Sequence, residues 1–187
     1  MPITTLDRHC ALIVIDLQHG IVPLPPAQDA KRAVEHSAAL IQAFHRADHP
    51  VVLVNVAGGA PGRTDVGPSR VEPASDWAEL IEALPRRGED ILLTKRNWGA
   101  FINTELHSLL QARGITQVVV CGIATSIGVE STARQAFELG YHVVLCRDAM
   151  ADLDPYNHRH ACDKIFPRLG QVCDSAEVIR LLESPTV

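Results

Sequence analysis

No apolar run in this 187-residue chain approaches the roughly 20 residues that a membrane span needs. The first eight residues lack the basic-then-apolar layout of a secretion signal, so a cytoplasmic location is expected. The five cysteines (Cys10, Cys121, Cys146, Cys162, Cys173) are odd in number and no two have C-x-x-C spacing. That excludes a disulfide framework and a zinc knuckle. Nine histidines are present, and no metal-binding pair stands out among them. His158 and His160 stand two apart around Arg159 and read as solvent-facing rather than as metal ligands. A formal net charge of −5 and a pI near 6.0 argue against nucleic acid or an anionic membrane as partner. Internal repeats and low-complexity tracts are missing, and no G-x-G-x-x-G follows the first apolar run, which weakens a dinucleotide-binding reading.

What the chain does contain is alternation. Residues 10–15, 51–56, 91–94, 117–120 and 142–146 are short apolar runs of the kind that form strands buried on both faces. A short sixth strand is expected at residues 172–173. Between these runs lie helical patterns at 29–47, 77–84, 104–113, 129–139 and 155–166, with a last helix capped by Asp174 or Ser175. Residues 148–154 read as loop. The 19 residues at 57–75, rich in Gly, Pro, Ser and Arg, form a loop long enough to suggest a lid, a partner contact or a mobile excursion. The expectation is one α/β domain over residues 1–187: a doubly wound, Rossmann-like, six-stranded parallel sheet with helices on both faces.

The stretch after the fourth strand, Gly-Ile-Ala-Thr-Ser-Ile-Gly at 122–128, organises the rest. Val129, Thr132, Ala133, Ala136 and Phe137 follow at i, i+3, i+4, i+7 and i+8, the apolar side of a helix that Gly140 ends. A short strand-to-helix turn aims N–H groups and a positive helix end at one point, where an anion or a developing oxyanion can sit. Asp16 stands at the end of the first strand and Lys95 at the end of the third. With the strands ordered 3-2-1-4-5, strands one and four meet at the switch point, so Asp16, Lys95 and the turn share a crevice. An acid, a cation and a ring of N–H donors is a workable hydrolytic constellation. Lys95 favours the ionised form of Asp16. Trp98 and Phe101, in the turn after Lys95, are either packing or a pocket wall.

These residues resemble the isochorismatase-like hydrolase family, also called the cysteine hydrolase superfamily. Val-Ile-Asp-Leu-Gln at 14–18, Lys-Arg-Asn-Trp-Gly-Ala-Phe at 95–101 and Gly-Ile-Ala-Thr-Ser-Ile-Gly-Val-Glu-Ser-Thr-Ala-Arg at 122–134 match its three motifs in order, and the likeness runs over roughly residues 8–183. The resemblance implies a six-stranded parallel α/β fold, a catalytic Asp-Lys-Cys set and a non-proline cis peptide that builds an oxyanion hole. On this chain the first two members fall on Asp16 and Lys95, the cis bond on Ile123–Ala124, and an oxyanion donor on the Ala124 N–H. Gln18, Trp98 and Phe101 become substrate-binding candidates.

The third member differs. Members that cleave amides carry cysteine where this chain has Gly128. Glycine offers no thiolate, so no acyl-enzyme forms. Cys121 lies on the strand and is expected in the core. True isochorismatases also have glycine there. They hydrolyse an enol ether without a protein nucleophile, which by resemblance makes Asp16 the proton donor and Lys95 its tuning partner. The expected function is isochorismatase-type hydrolysis of isochorismate or a related small molecule. The alternatives are an amide or imide hydrolase using water activated by Asp16, and an inactive member kept for ligand binding. No cofactor is expected. No metal is expected either, because residues 54–70 offer Asp65 but no histidine. Arg63, Arg70 and Arg96 are candidate anchors for substrate carboxylates, and a homodimer or homotetramer is implied.

Overall fold

The computed structural model describes residue 3, residues 5–65, residue 67 and residues 74–184. Six strands form one parallel sheet: β1 (Cys10–Ile15), β2 (Val51–Val56), β3 (Ile91–Lys95), β4 (Gln117–Ile123), β5 (His142–Ala151) and β6 (Gln171–Cys173), in the order β3-β2-β1-β4-β5-β6. The helices are α1 (Ala27–Arg46), α2 (Leu106–Ala112), α3 (Glu130–Glu138), α4 (Pro155–His160) and α5 (Ser175–Glu183). Every residue of β1 and β4 is buried, as an apolar run covered on both faces must be. Alternate side chains of β1 serve opposite layers. Leu12 and Val14 meet Leu40, Ile41 and Phe44 of α1 and Val178 of α5. Ile13 and Ile15 meet Leu106 and Leu110 of α2 and Ala133 and Ala136 of α3.

Several boundaries differ from the sequence reading. β5 does not stop at Cys146 but runs to Ala151, so most of the expected 148–154 loop is strand. Its register against β4 jumps from Val120 opposite Leu145 to Gly122 opposite Met150. That irregularity admits Arg147 and Asp148 into the strand, with Asp148 accepting from the Ser175 N–H and hydroxyl at 2.7 Å each. Residues 77–84 form turns rather than a helix, tied back by a single bridge between Gln18 and Leu80. Phe137 is 51% exposed, because i+8 from Val129 is rotated to the edge of the apolar stripe. Part of the 57–75 loop, residues 66 and 68–73, lies outside the described residues.

The carboxyl ends of β1 and β4, neighbours in the sheet centre, are the switch point of the topology. Gly122 makes their approach feasible. It adopts φ +119°, and a Cβ on it would lie 2.1 Å from the Ile15 carbonyl oxygen.

Candidate active site

Asp16 leaves β1 with φ +52°, a left-handed conformation that is uncommon for aspartate and turns its side chain out of the sheet's alternation. Its N–H is held by the Val54 carbonyl at 2.9 Å, so the turn is anchored to β2. Lys95, the last residue of β3, reaches across β2. Its ammonium donates to Asp16 Oδ2 at 2.7 Å and to the Asn97 carbonyl at 3.2 Å. Both side chains are buried, 6% and 2% exposed. Asp16 Oδ1 is buried and has no hydrogen-bond partner among the described residues. Burial pushes the Asp16 carboxyl up from an ordinary 3.8 to about 6, outweighing the opposing pull of the Lys95 charge and hydrogen bond. A buried carboxyl with one satisfied oxygen is stabilised in its protonated form, and that decides the balance.

The third strand end is the turn after β4. The Ile123–Ala124 peptide is cis. A single π-type turn, residues Thr125–Val129, then leads into α3. The Ala124 carbonyl accepts from Ile127 N and Val129 N at 3.2 and 3.1 Å. Gly128 is buried beside Asp16: a Cβ built on it would stand 3.2 Å from Asp16 Oδ2 and 2.9 Å from Ile15 Cγ2. The 96–101 segment is fastened to the same helix. Thr132 Oγ1 donates to the Gly128 carbonyl at 2.7 Å and accepts from Ala100 N at 3.1 Å.

These groups form the floor of a cavity of about 230 Å³. Asp16, Lys95, Gly128, Ile123 and Ala124 lie together there, as the sequence reading groups them. Trp98 is on the wall and 62% exposed. Two substrate-binding candidates lie elsewhere. Phe101 is buried under the loop and stacks on Tyr141, ring centroids 5.8 Å apart. Gln18 is fully buried, and its amide clamps the chain: Nε2 donates to Val56 O and Trp77 O, and Oε1 accepts from Val56 N. It fixes the loop that carries Trp77 instead of facing the cavity. The reason in both cases is local, since a residue in the connection after a strand has no periodicity to say which way it points.

The walls hold residues that the sequence did not single out: Ile21, Leu24, Val56, Trp77, Ile127 and Leu153. Trp77 lies against Gly20, where a Cβ would come within 2.1 Å of the indole. The proposed arginine anchors do not line this space among the described residues. Arg63 is exposed, Arg96 donates to the Ala57 carbonyl at 2.9 Å, and Arg70 lies outside the described residues. No group of three His, Cys, Asp or Glu converges among the described residues. Cys121 is wholly buried and its thiol is pushed up to about 12 by burial, the behaviour of a core residue rather than a nucleophile.

Behind the turn the structure holds a second set of polar contacts. Asp152, just past β5 and 3% exposed, accepts from Ser126 N at 2.7 Å. Thr125 Oγ1 and His158 Nδ1 share a hydrogen bond of 2.8 Å, and His158 Nε2 lies 3.8 Å from Cys162 Sγ. Burial lowers the His158 pKa from its ordinary value. This corrects the reading of His158 as solvent-facing: on a helix, residues two apart project to different sides, so His158 turns inward while His160 stays exposed.

Comparison with known proteins agrees with this architecture. Residues 10–177 match the isochorismatase domain family. An uncharacterised isochorismatase family protein of Bacillus subtilis is 40% identical, the match covering 86% of this chain and 87% of that protein. A ureidoacrylate amidohydrolase of Acinetobacter baylyi is 30% identical over 92% of this chain and 83% of its own length. The solved structure of an isochorismatase family protein from Burkholderia thailandensis superposes with a TM-score of 0.91 at 41% identity, covering 98% of this chain and 99% of the other.

Proposed function

Because the chain belongs to the isochorismatase family of hydrolases, we propose that it hydrolyses a small enol ether without a covalent intermediate, with Asp16 as the general acid. We place it in the subgroup where glycine, here Gly128, replaces the nucleophilic cysteine. The observation that carries this reading is the Asp16 carboxyl in the cavity lining: buried, raised to about 6, one oxygen held by Lys95 and the other buried with no hydrogen-bond partner among the described residues. A pKa near the working pH suits a group that must give and recover a proton. Asp16 protonates the vinyl carbon, and the electron pair of the C=C bond forms the new C–H bond. Water then adds to the resulting oxocarbenium carbon and returns its proton to Asp16. The hemiketal or hemiacetal collapses to a carbonyl compound and an alcohol. Lys95 orients the carboxyl and stabilises the carboxylate left after proton transfer. Water is the one co-substrate these steps consume.

A second reading is favoured by one finding, the amidohydrolase named among the relatives. In it Asp16 acts as a base that activates water toward an amide carbonyl. The pH dependence of kcat/KM separates the two, since it reports the free enzyme's acid or base. As a general acid, Asp16 is competent below about pH 6, and kcat/KM falls roughly tenfold per pH unit above that value. As a base it gives the mirror profile, rising to a plateau above pH 6. Phenyl vinyl ether, followed as acetaldehyde and phenol release, and benzamide, followed as ammonia release, are suitable probes. Turnover of the ether with the falling limb supports the first reading. Turnover of the amide with the rising limb replaces it with the second.

A further inference from the structure

Among the described residues, the charged groups around the cavity are already engaged. Lys95, the one cation among the described residues lining it, is 2% exposed and donates to Asp16 and to the Asn97 carbonyl. Arg96, beside the cavity residue Gly58, is turned onto the Ala57 carbonyl. The Ser126 N–H, which opens the helical turn and would be a natural anion donor, is taken by the buried Asp152 carboxylate at 2.7 Å. Against these stands one resident acid lining the cavity, Asp16, whose Oδ2 is held by Lys95. A carboxylate entering this space exchanges its hydration for apolar walls and the neighbourhood of the Asp16 carboxyl. Burying an unpaired charge that way is strongly unfavourable.

The walls point the same way. Trp77, Trp98, Leu24, Ile127 and Leu153 give the cavity an apolar lining, and Trp98, Leu24 and Leu153 remain 62%, 51% and 48% exposed at its mouth. At about 230 Å³ the space is only somewhat larger than a cavity of ~150 Å³ that accommodates benzene. Building on the hydrolytic reading of the same site, we infer that the substrate is an uncharged molecule of about one ring, bound by its apolar body, and not a carboxylate such as isochorismate. Specificity then resides in the exclusion of anions as much as in the fit of the ring.

Binding tests this independently of turnover. The chain has two tryptophans, Trp77 and Trp98, and both line the cavity, so intrinsic fluorescence reads occupancy directly. Phenyl vinyl ether and 4-(vinyloxy)benzoate form a matched neutral and anionic pair. They are titrated at pH 7.5 into the parent and into Asp16→Asn, which keeps the site's shape and slows any proton transfer. The neutral ether is expected to bind about tenfold or more tightly than the benzoate in the parent. Removal of the Asp16 negative charge makes that preference smaller in Asp16→Asn. Leu153→Arg, which places a cation at the mouth, is expected to recover benzoate binding by about tenfold. Equal or tighter binding of the benzoate by the parent overturns the inference. So does a failure of the neutral ether to bind up to its solubility, or a preference unmoved by Leu153→Arg. Preferential binding of the neutral ether without hydrolysis leaves this inference standing and removes the enol-ether reaction instead.

Discussion

Two aspartates flank the end of β4, and they are used in opposite ways. Asp16 follows β1 on one side and Asp152 follows β5 on the other. They are equally buried, 4% and 3% exposed. Both oxygens of Asp152 accept backbone N–H groups, Oδ2 from Ser126 at 2.7 Å and Oδ1 from Asp154 at 3.4 Å. Asp16 meets a side-chain ammonium through one oxygen and nothing through the other among the described residues. A carboxylate whose lone pairs are used by backbone donors is part of the framework. A carboxyl left half-satisfied beside a cavity retains capacity to bind a proton or a ligand atom. The same residue type at the same depth and the same end of the sheet therefore yields a structural part and a chemical one, and hydrogen-bond completeness separates them.

The largest effect expected from breaking this contrast is on activity. Asp16→Asn keeps the volume and removes the transferable proton, so kcat is expected to fall about 10²- to 10⁴-fold, the usual contribution of one acid–base group. The folded fraction by circular dichroism should stay close to that of the parent near pH 5, where Asn mimics the protonated Asp16. Retention of more than a tenth of kcat would show that the half-satisfied carboxyl is not the chemical one. Next in size is a pH effect on stability. The folded-state pKa of Asp16 is raised from 3.8 to about 6, so between those values the folded chain holds a proton that the unfolded chain has lost. The stabilisation is complete below about pH 4 and is lost as pH rises through 6. Relative to Asp16→Asn, the parent should lose on the order of 3 kcal/mol across that window in urea unfolding. A difference between the two proteins that does not change with pH would mean that Lys95 holds the carboxyl ionised throughout.

Much of this arrangement was legible in the chain itself, and the illegible part has a common cause. Apolar runs fully buried in a parallel sheet have an unmistakable pattern, so β1, β2 and β4 and their order could be read. Asp16 and Lys95 stand immediately after such runs, where topology alone brings strand ends together. Side chains further along the connections escape that logic. Gln18 turned out to be a clamp and Phe101 a packing residue, while Trp77, hidden in an expected helix, reached the wall. β5 was cut short because Arg147 and Asp148 interrupt its apolar run, and that concealed Asp152, whose position past the end of a strand is the same signal that marked Asp16. A polar residue following a short apolar segment such as 149–151 is the pattern that could have found it.

The last and smallest effect sharpens the contrast from the other side. Asp152→Ala removes the acceptor from Ser126 N and Asp154 N and leaves two backbone donors at a buried turn. A cost of about 1–3 kcal/mol in unfolding free energy is expected, the penalty for leaving such donors unsatisfied. Asp152→Asn keeps one acceptor oxygen and turns an amide N–H₂ toward the other donor, so its cost should fall between the parent and Asp152→Ala. Turnover per folded molecule should change far less than in Asp16→Asn, because Asp152 touches the turn from behind and does not line the cavity. The small change that remains should show in KM, through displacement of Ala124 and Gly128. If Asp152→Ala instead abolished kcat while its urea midpoint stayed at the parent value, the backbone-satisfied carboxylate would be a chemical group after all. Hydrogen-bond completeness would then fail as the criterion that tells these two aspartates apart.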